Sequence, residues 1–433
     1  MKNGQAISSI STKGQQDKLT LYFITNDWSG LHDMFETEDW GKVAGVPLVP
    51  LYWKVLAEKG YCVHVFVWGV FKSEKDFTLK GIHFHRRCIM GWTLSDATKG
   101  FMAYLKIGWF LLQVKSFRAV RKTARTDYPD VIYSYSTTFV PICHLLSRLM
   151  RIPHVAHFWG TWLSHYLFNV PWYKRLRVLG GILTFKFPID LLIISNDGTL
   201  GDKVVKKLKF PKERFRFWLD GTSPKIYQPD ADKGEIKCSV GLEPSDKMIF
   251  QAARLDFWKR IDRAIAAMPT VIKRVPNARL VVAGDGSLKG DLEKQAKNLG
   301  VAEFVKFLGF VPHEKVLKLH NAADLFLTVQ DLTNLGNQIL ESLHSGTCTV
   351  AYNIGGTSQV MVDGVTGVLL EDEDLPRLGD VIAELLLDND KRHRLAQGAL
   401  NFAREKIWTW DERIDAEIDE VQRLVAKNRQ RPR

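Results

Sequence analysis

The chain has 433 residues, of which 45% are hydrophobic and 25% are charged. This composition excludes a fibre or a disordered chain and predicts a large protein of two or three domains. Five scattered cysteines without C-x-x-C spacing disfavour a disulfide scaffold or a zinc site and favour a reducing compartment. The beginning of the chain is polar, so we expect a cytoplasmic protein without a secretory signal.

Charge is distributed unevenly along the chain. Residues 1–222 contain 31 Lys or Arg and 17 Asp or Glu, a balance of +14, whereas residues 223–433 contain 29 and 31, a balance of −2. Such asymmetry predicts different partners for the two halves. Nucleic acid is disfavoured as the partner of the basic half, because no zinc, helix-turn-helix or RNP pattern organises its cations.

The first half alternates short apolar runs with helical patterns. Helices are predicted over residues 46–59, between Gly45 and Gly60, and over PICHLLSRLM, residues 141–150. Strands are predicted over residues 19–25, 62–69, 130–134, 154–158 and 191–195. Strands that alternate with helices imply a parallel sheet.

His83 and His85 lie two residues apart on a predicted strand and therefore point to one face of it. Such a pair can bind a metal, but no nearby carboxylate or cysteine completes a ligand set. We therefore predict a structural or surface role for both histidines and no metal site in the protein.

Two segments of the basic half combine bulky apolar residues with cations. FMAYLKIGWFLLQVKSFRAVRKTAR, residues 101–125, predicts a helix with a cationic end, and NVPWYKRLRVL, residues 169–179, follows later. Both segments are suited to an anionic membrane surface. The competing interpretation is a partly buried helix with a solvated basic end. The apolar stretch over residues 100–114 contains Lys106 and is too short to span a bilayer.

The second half begins after WLDGTSPKIYQPD, residues 218–230, where Pro, Gly and Asp collect and predict a joint between two α/β domains. Next, IFQAARLDFWKRIDRAI, residues 249–265, predicts a strand that ends in Arg254, with Lys259 at the start of a helix. Two cations beyond the carboxyl end of a strand lie where open α/β sheets bind ligands. Arginine in particular suits a multidentate phosphate.

The stretch DLTNLGNQILESLHSG, residues 331–346, places a polar turn before an apolar helix. Its backbone amides over residues 335–337 predict an anion site at the helix start. Glu341, within the helix, is suited to accept hydrogen bonds from the sugar hydroxyls of a nucleotide. Upstream, a turn containing Gly284 and Gly286 ends another predicted strand. The alternative for the 331–346 stretch is a capped surface helix.

This series of segments resembles the nucleotide-sugar half of glycosyltransferase family 4, whose members are retaining enzymes of the GT-B fold. The resemblance is close over residues 250–367 and loose elsewhere. It implies that Arg254 and Lys259 hold the donor diphosphate and that Glu341 holds the ribose. The donor-binding residues that it implies are Glu341, Thr333, Asn334, Leu335, Gly336, Asn337, Gly284 and Gly286.

The family motif is matched with departures. Gly336 fits its second glycine, but Thr333 stands at the position of the first glutamate, which normally meets the donor sugar, and Asn334 replaces a glycine. In the first half, Trp159 occupies the usual position of a cleft histidine, and His157 lies two residues earlier. The resemblance therefore implies a catalytic sugar or acceptor contact for His157, and it leaves the donor sugar open.

The fold class implied is α/β, with two Rossmann-like domains facing across a cleft and a C-terminal helix that returns to the N-terminal domain. The expected domains are residues 1–222 for the acceptor, residues 223–407 for the nucleotide sugar and residues 408–433 for the returning helix.

We expect a glycosyltransferase that moves a sugar from a nucleoside diphosphate donor to a lipid-linked or glycan acceptor, with retention and without a metal or other cofactor. Its expected place is the cytoplasm, peripheral on the inner face of a membrane. One alternative is an epimerase-like nucleotide-sugar enzyme of the same fold. The other is a non-catalytic nucleotide-sugar-binding protein, which the replacement at Thr333 favours.

Overall fold

A computed structural model of the chain describes residues 18–27, 30–43, 48–89, 107–223, 227, 230–331 and 335–430. Within these ranges the chain forms two compact units. The N-terminal unit comprises the described parts of Ile7–Asn196, Leu200–Trp218 and Asp411–Arg433. The C-terminal unit comprises Asp197–Thr199 and the described parts of Leu219–Trp410.

The N-terminal unit is built on an eight-stranded sheet of order β3-β4-β2-β1-β5-β6-β7-β8. The strands are β1 Thr20–Asn26, β2 Cys62–Gly69, β3 Lys75–Leu79, β4 Ile82–Cys88, β5 Val131–Ser134, β6 His154–Phe158, β7 Leu191–Ser195 and β8 Phe215–Trp218. Neighbouring strands are parallel, except that β3 and β4 form an antiparallel hairpin at one edge. The first helices are α1 His32–Thr37, α2 Leu48–Glu58, α3 Ile107–Thr123, α4 Val140–Met150, α5 Leu179–Thr184 and α6 Gly201–Lys207.

The strands of this sheet are apolar along most of their length because both faces are covered. In β2, Val63, Val65 and Val67 are buried in one hydrophobic core. Phe66 and Trp68 are buried in a second core on the opposite face. The two sets alternate because successive side chains of a strand point to opposite faces.

The C-terminal unit is built on a six-stranded parallel sheet of order β11-β10-β9-β12-β13-β14. Its strands are β9 Lys247–Ala252, β10 Ala278–Ala283, β11 Val305–Gly309, β12 Leu325–Thr328, β13 Thr349–Tyr352 and β14 Val368–Leu370. Its helices are α7 Lys233–Cys238, α8 Ile261–Arg274, α9 Lys289–Asn298, α10 His313–Ala322, α11 Asn337–Ser345, α12 Thr357–Val360, α13 Leu378–Leu387 and α14 Asn389–Lys406.

The strand order of the second sheet reverses between β9 and β12. From β9 the chain moves outward through β10 to β11, and from β12 it moves outward on the other side through β13 to β14. The connections that leave β9 and β12 therefore diverge. A crevice opens beyond the carboxyl ends of such strands, and open α/β sheets bind their ligands there.

The last helix, α15 Trp410–Arg429, belongs to the core of the N-terminal unit. Its residues Ile414, Ile418, Val421 and Val425 are buried in the same core as the β1 and β2 side chains. These four residues recur at intervals of four and three, which places them on one face of a helix. The chain therefore returns to its first unit after completing the second.

The predicted fold class, an α/β chain with two parallel-sheet units and a returning last helix, is confirmed. The bounds of β2, β6 and β7 are those predicted. The strand β3 was not predicted, because its sequence KDFTL is polar and lies at an exposed sheet edge. Among the described residues, no helix combines the length and the apolar character that crossing a bilayer requires.

Candidate functional site

Arg254 lies in the connection that leaves β9, at the predicted position. Its side chain is 61% exposed and pairs with the Asp256 carboxylate. The guanidinium carbon lies 5.2 Å from the centre of the Trp258 ring, which is a cation–π contact. The ion pair and the ring together orient a cation that remains accessible to a ligand.

Lys259 ends the short 3-10 turn Phe257–Lys259 of the same connection. Its Nζ donates a hydrogen bond to Gln330 Oε1, at 2.9 Å, on the connection that leaves β12. Burial lowers the pKa of the Lys259 ammonium, and repulsion by Arg254 lowers it further. An anion bound beside both cations would remove this repulsion.

Asp331 holds the two connections together. Its backbone N–H donates to the Trp258 carbonyl oxygen at 2.9 Å. Its carboxylate oxygens lie 2.6 Å from Arg260 Nη1 and 2.6 Å from Arg263 Nη1. Because these bonds join the two sides of the crevice, the cations on the β9 connection are held in place before any ligand arrives.

Gly284 and Gly286 let the turn after β10 pack directly on the β9 connection. A Cβ on Gly284 would lie 1.9 Å from the Ala253 carbonyl oxygen, and one on Gly286 would lie 2.6 Å from the Leu255 carbonyl oxygen. The Leu255 N–H also donates to the Asp285 carbonyl at 2.9 Å. Both glycines therefore support the loop that carries the cations, and their predicted contact with a donor stays a prediction.

The predicted anion-binding helix, α11, begins at Asn337 with Gly336 as its N-cap. Leu335 is buried, and its N–H donates to the carbonyl oxygen of Asp197. The structure thus corrects the prediction for Leu335, whose amide is engaged within the protein. The amides of Gly336 and Asn337 stay the predicted anion contacts.

Asp197 is a residue that the sequence analysis missed. It follows β7 but belongs with Gly198 and Thr199 to the C-terminal unit. Burial raises the pKa of its carboxyl to about 6, although the Thr199 hydroxyl and N–H donate to it. An Asn-Asp-Gly turn at a strand end was the available sequence feature. Thr333 and Asn334, predicted to line the donor site, lie outside the described residues.

Glu341 lies in the second turn of α11, and its side chain is almost completely buried. Its Oε1 is 2.7 Å from His313 Nε2, and its Oε2 is 3.8 Å from His320 Nε2. The hydrogen bond with Glu341 raises the pKa of the His313 imidazole, whereas burial lowers that of His320 to about 4. Sequence reasoning missed His313, which begins α10 directly after a proline.

His157 does not lie on an exposed surface. It is 1% exposed, and its Nδ1 lies 3.2 Å from Oε1 of the fully buried Glu417 on α15. Glu417 also accepts hydrogen bonds from Tyr52 and Arg413, at 2.7 and 3.0 Å. Burial favours a raised pKa for Glu417, but His157 and Arg413 outweigh it and lower the value to about 2. His157 thus holds α15 in the core and offers no surface for the predicted sugar contact.

The premise that no cysteine or carboxylate lies near His83 and His85 is wrong. The pairing of β2 with β4 places His64 opposite His83. The Cys62 thiol lies 3.4 Å from His64 Nε2, and an Asp127 carboxylate oxygen lies 4.0 Å from the same nitrogen. A cluster of metal-ligating side chains therefore exists in the N-terminal unit.

Solved structures of the same fold are GT-B proteins. HepE of Anabaena, solved in complex with UDP and glucose, superposes with a TM-score of 0.65 and 18% identity over 93% of this chain and 99% of that one. Sucrose-phosphate synthase of Thermosynechococcus elongatus superposes with a TM-score of 0.70 and 16% identity over 94% and 99%. The two parallel-sheet units therefore define a protein of the GT-B class.

Sequence relatives within that class are glycosyltransferases. Residues 232–402 match the family described as Glycosyl transferases group 1. An uncharacterized glycosyltransferase of Methanocaldococcus jannaschii is 28% identical over 70% of this chain and 77% of its own length. A GDP-mannose-dependent phosphatidylinositol monomannoside mannosyltransferase of Mycobacterium tuberculosis is 32% identical over 46% of this chain and 54% of its own length. Residues 232–402 therefore resemble the group 1 glycosyltransferases, as their motifs implied, and the chain is a glycosyltransferase.

Proposed function

We propose that the chain transfers a sugar from a nucleoside diphosphate sugar to an acceptor, with retention at the anomeric carbon and without a metal ion. The carrying observation is the pair Arg254 and Lys259, held beyond the end of β9 at the strand-order reversal. Similar proteins support the donor class, because one sequence relative is GDP-mannose-dependent and one structural neighbour was solved with UDP and glucose. Retention is proposed from the resemblance to this family.

The proposed chemistry depends on charge that appears as the donor breaks. When the bond from the anomeric carbon to the diphosphate oxygen breaks, negative charge grows on the departing diphosphate. Arg254 and Lys259 oppose that charge electrostatically, and the first-turn amides of α11 add their dipole. The contacts of Asp331 with Arg260 and with the Trp258 carbonyl fix the loop that carries Arg254 and Lys259 before the donor binds. Little reorganisation of this loop therefore accompanies the reaction. A metal ion is not needed to supply this stabilisation.

Glu341 is proposed to hold the ribose hydroxyls of the donor. The hydrogen bond from His313 orients one of its carboxylate oxygens, at 2.7 Å, and the second oxygen lies 3.8 Å from His320, beyond a normal hydrogen bond. Binding through the second oxygen would keep the His313 contact intact. The base and the sugar of the donor are left to experiment, because Thr333 departs from the family motif.

The first experiment is a panel of UDP-, GDP- and ADP-sugars, assayed for transfer, hydrolysis and epimerisation without added Mg²⁺ or Mn²⁺. We expect transfer from one donor, with the product anomer matching the donor anomer by NMR. Arg254→Ala and Lys259→Ala should each lower turnover by about 10²-fold or more. Arg274→Ala is the matched control, because Arg274 ends α8 and pairs with Asp380 at the surface. Full turnover in folded Arg254→Ala and Lys259→Ala proteins would refute the assignment.

An anionic membrane surface is the proposed environment of the acceptor. Trp172 is 72% exposed, and Tyr173, Leu176 and Arg177 beside it are exposed as well. Exposed aromatic residues next to cations suit the interface between lipid headgroups and acyl chains. A second set of exposed cations in the N-terminal unit lies at and just beyond the end of α3 and comprises Arg118, Arg121, Lys122 and Arg125.

Co-sedimentation with liposomes tests the membrane proposal. Binding to anionic vesicles should exceed binding to neutral ones and should fall with salt, because surface charges are screened over about 10 Å at 0.1 M. The anionic preference should be lost when five cations are replaced by glutamine: Lys115, Arg118, Arg121, Lys122 and Arg125. The control variant carries Lys294→Gln and Lys297→Gln on the exposed face of α9. Equal amounts of protein sedimenting with anionic and neutral vesicles would contradict the proposal.

A further inference from the structure

A group of three metal-ligating side chains lies where β2 and β4 begin. Cys62 is the first residue of β2, His64 follows two residues later, and His83 lies opposite His64 on β4. One ligand atom of each side chain lies within 4.8 Å of the others. This Cys62–His64–His83 cluster is at the amino ends of the strands, whereas ligands of parallel sheets bind beyond the carboxyl ends. It is therefore separate from the site for sugar transfer.

The distance between Cys62 Sγ and His64 Nε2 fits a tetrahedral zinc ion. Zinc binds thiolate at about 2.3 Å and imidazole at about 2.0–2.1 Å, so tetrahedral angles place sulfur about 3.6 Å from nitrogen. Cys62 Sγ lies 3.4 Å from His64 Nε2. Asp127 provides an oxygen 4.0 Å from the same nitrogen, and its side chain is 53% exposed. This carboxylate lies outside the group of three and would turn toward it to serve as a fourth ligand.

A hydrogen-bonded chain behind His64 orients its lone pair toward the cluster. His64 Nδ1 lies 3.0 Å from His85 Nε2, and His85 Nδ1 lies 3.2 Å from Asp76 Oδ1. Asp76, which also pairs with Arg87, accepts a hydrogen bond from the Nδ1–H of His85. His85 Nε2 is then an acceptor for the proton on His64 Nδ1. This leaves the lone pair of His64 Nε2 directed at Cys62 and Asp127.

Metal-bound histidines use the same arrangement, in which the second ring nitrogen donates to a carboxylate directly or through another group. A hydrogen bond between the Cys62 thiol and the His64 imidazole would not require the second histidine, His83, or the Asp127 carboxylate nearby. His83 contributes a further imidazole, and its Nδ1 lies 3.1 Å from the Thr78 hydroxyl. With Nδ1 engaged by that hydroxyl, Nε2 is left as the ligand nitrogen.

We propose that this chain binds a zinc ion through Cys62 Sγ, His64 Nε2, His83 and the Asp127 carboxylate. The mixed set of thiolate, imidazole and carboxylate suits zinc, whereas Mg²⁺ and Ca²⁺ take oxygen ligands. Four protein ligands leave no open position, which is typical of a structural site. The ion would link β2, its neighbouring strand β4 and the segment after α3, which are distant in sequence.

Zinc binding by the full-length protein tests this proposal. The protein is stripped with a chelator, dialysed against zinc and analysed for metal content, and its affinity is measured by competition with a chromogenic chelator. We expect one zinc per chain and a zinc-dependent rise in melting temperature. Cys62→Ser and His83→Ala should each lower the affinity by at least about 10-fold, and Asp76→Asn should lower it by about 10- to 100-fold.

Matched controls separate this site from adventitious binding. Cys238→Ser and His393→Ala change an exposed cysteine and an exposed histidine of the C-terminal unit, and both should retain the full zinc content. Cobalt substitution gives a second measurement on the unaltered protein, where a thiolate-to-cobalt charge-transfer band is expected and Cys62→Ser should abolish it. Absence of both bound zinc and the cobalt band in the unaltered protein would overturn the proposal. Equal zinc content in unaltered protein, Cys62→Ser and His83→Ala would overturn it as well.

Discussion

Replacement of Glu417 by glutamine tests how the last helix is held in the N-terminal unit. Glu417 is fully buried on α15 and contacts Tyr52, His157 and Arg413. The amide of glutamine has nearly the same shape, so the substitution removes the charge without opening a cavity. It leaves the buried Arg413 guanidinium without its anionic partner, and that residual charge is the main source of the expected loss.

The magnitude follows from two lines of reasoning. The pKa of Glu417 is lowered from 4.5 to about 2, and each pKa unit corresponds to about 1.4 kcal/mol, so ionisation of Glu417 contributes about 3 kcal/mol at neutral pH. Removal of one partner from a buried ion pair costs about 3–5 kcal/mol in other proteins. The two figures agree. For a unit of this size, about 3 kcal/mol lowers the melting temperature by about 6–12 °C.

Calorimetry or circular dichroism of Glu417→Gln at pH 7 should show that decrease. Asp415→Asn is the matched control, because Asp415 lies on the same helix in an exposed pair with Lys59, and exposed pairs contribute about 0–1 kcal/mol. Because the folded pKa of Glu417 is lowered, its contribution is present above the unfolded value near 4.5 and is lost as pH falls toward 2. The gap between unaltered protein and Glu417→Gln should therefore narrow on acidification. The reasoning would be refuted if the melting temperatures of unaltered protein and Glu417→Gln differed equally at pH 7 and pH 3. It would also be refuted if Glu417→Gln and Asp415→Asn melted at the same temperature.

Three further predictions concern the C-terminal unit. Glu341→Gln should weaken binding of the ribonucleotide donor by about 1–3 kcal/mol. In this variant, the 2′-deoxy donor should bind only slightly more weakly than the ribonucleotide donor. Calorimetric titration that finds the same discrimination against the deoxy donor in the unaltered protein and the variant would contradict the ribose contact. The pKa of His313 is raised by Glu341, so the stabilising effect of this pair should be full below the ordinary histidine pKa and lost as pH rises through the raised one. A His313→Ala and Glu341→Gln double-mutant cycle by thermal unfolding should accordingly give a larger coupling at pH 6 than at pH 9, and no change in coupling would count against the pairing. Gly284→Ala should destabilise the protein by about 1–3 kcal/mol, because its Cβ would lie 1.9 Å from a carbonyl oxygen at φ +140°. Gly290→Ala on α9 meets nothing within 4 Å and should be neutral or slightly stabilising in the same unfolding assay.

Sequence patterns predicted the central strands because those strands carry their information locally. The runs CVHVFVWG, HVAHF and LLIIS are buried along their length, so apolar continuity and flanking turns are sufficient. The edge strand β3 was not predicted, because an exposed edge needs no apolar pattern. The short Asp197–Thr199 segment was assigned to the first domain, because a chain that crosses between compact units leaves no mark in local composition.

In the candidate site, too, some residues could be predicted from the sequence and others could not. The positions of Arg254 and Lys259 follow from a general rule about strand ends, and sequence therefore predicted where they lie. Their partners depend on which strands are neighbours. Gln330 lies 71 residues beyond Lys259, and Glu417 lies 260 residues beyond His157. Without the strand order, nothing in the sequence distinguishes these residues from other polar ones.

Register explains the misjudged histidines as well. The sequence places His83 and His85 correctly on a strand, but the residues close to them in sequence do not include the ligands that lie close in space. The pairing of β4 with β2 brings Cys62 and His64 alongside from about twenty residues away in sequence, a distance that no spacing motif for metals covers. A single unpredicted pairing therefore places His83 in the proposed ligand set and His85 behind His64.

The net charge of each half of the chain does not indicate where the proposed diphosphate site lies. The nearly neutral half of the chain, not the basic half, carries the cations proposed for the diphosphate. Around the crevice, Arg260 and Arg263 face Asp331, and Arg254 pairs with Asp256. Lys259 instead donates to the uncharged amide oxygen of Gln330, and its pKa is lowered. An arriving diphosphate would favour the charged form of Lys259 over the neutral one. The acids of this half thus neutralise Arg260 and Arg263, whereas the exposed Arg254 and the ammonium of Lys259 are left to meet a bound anion.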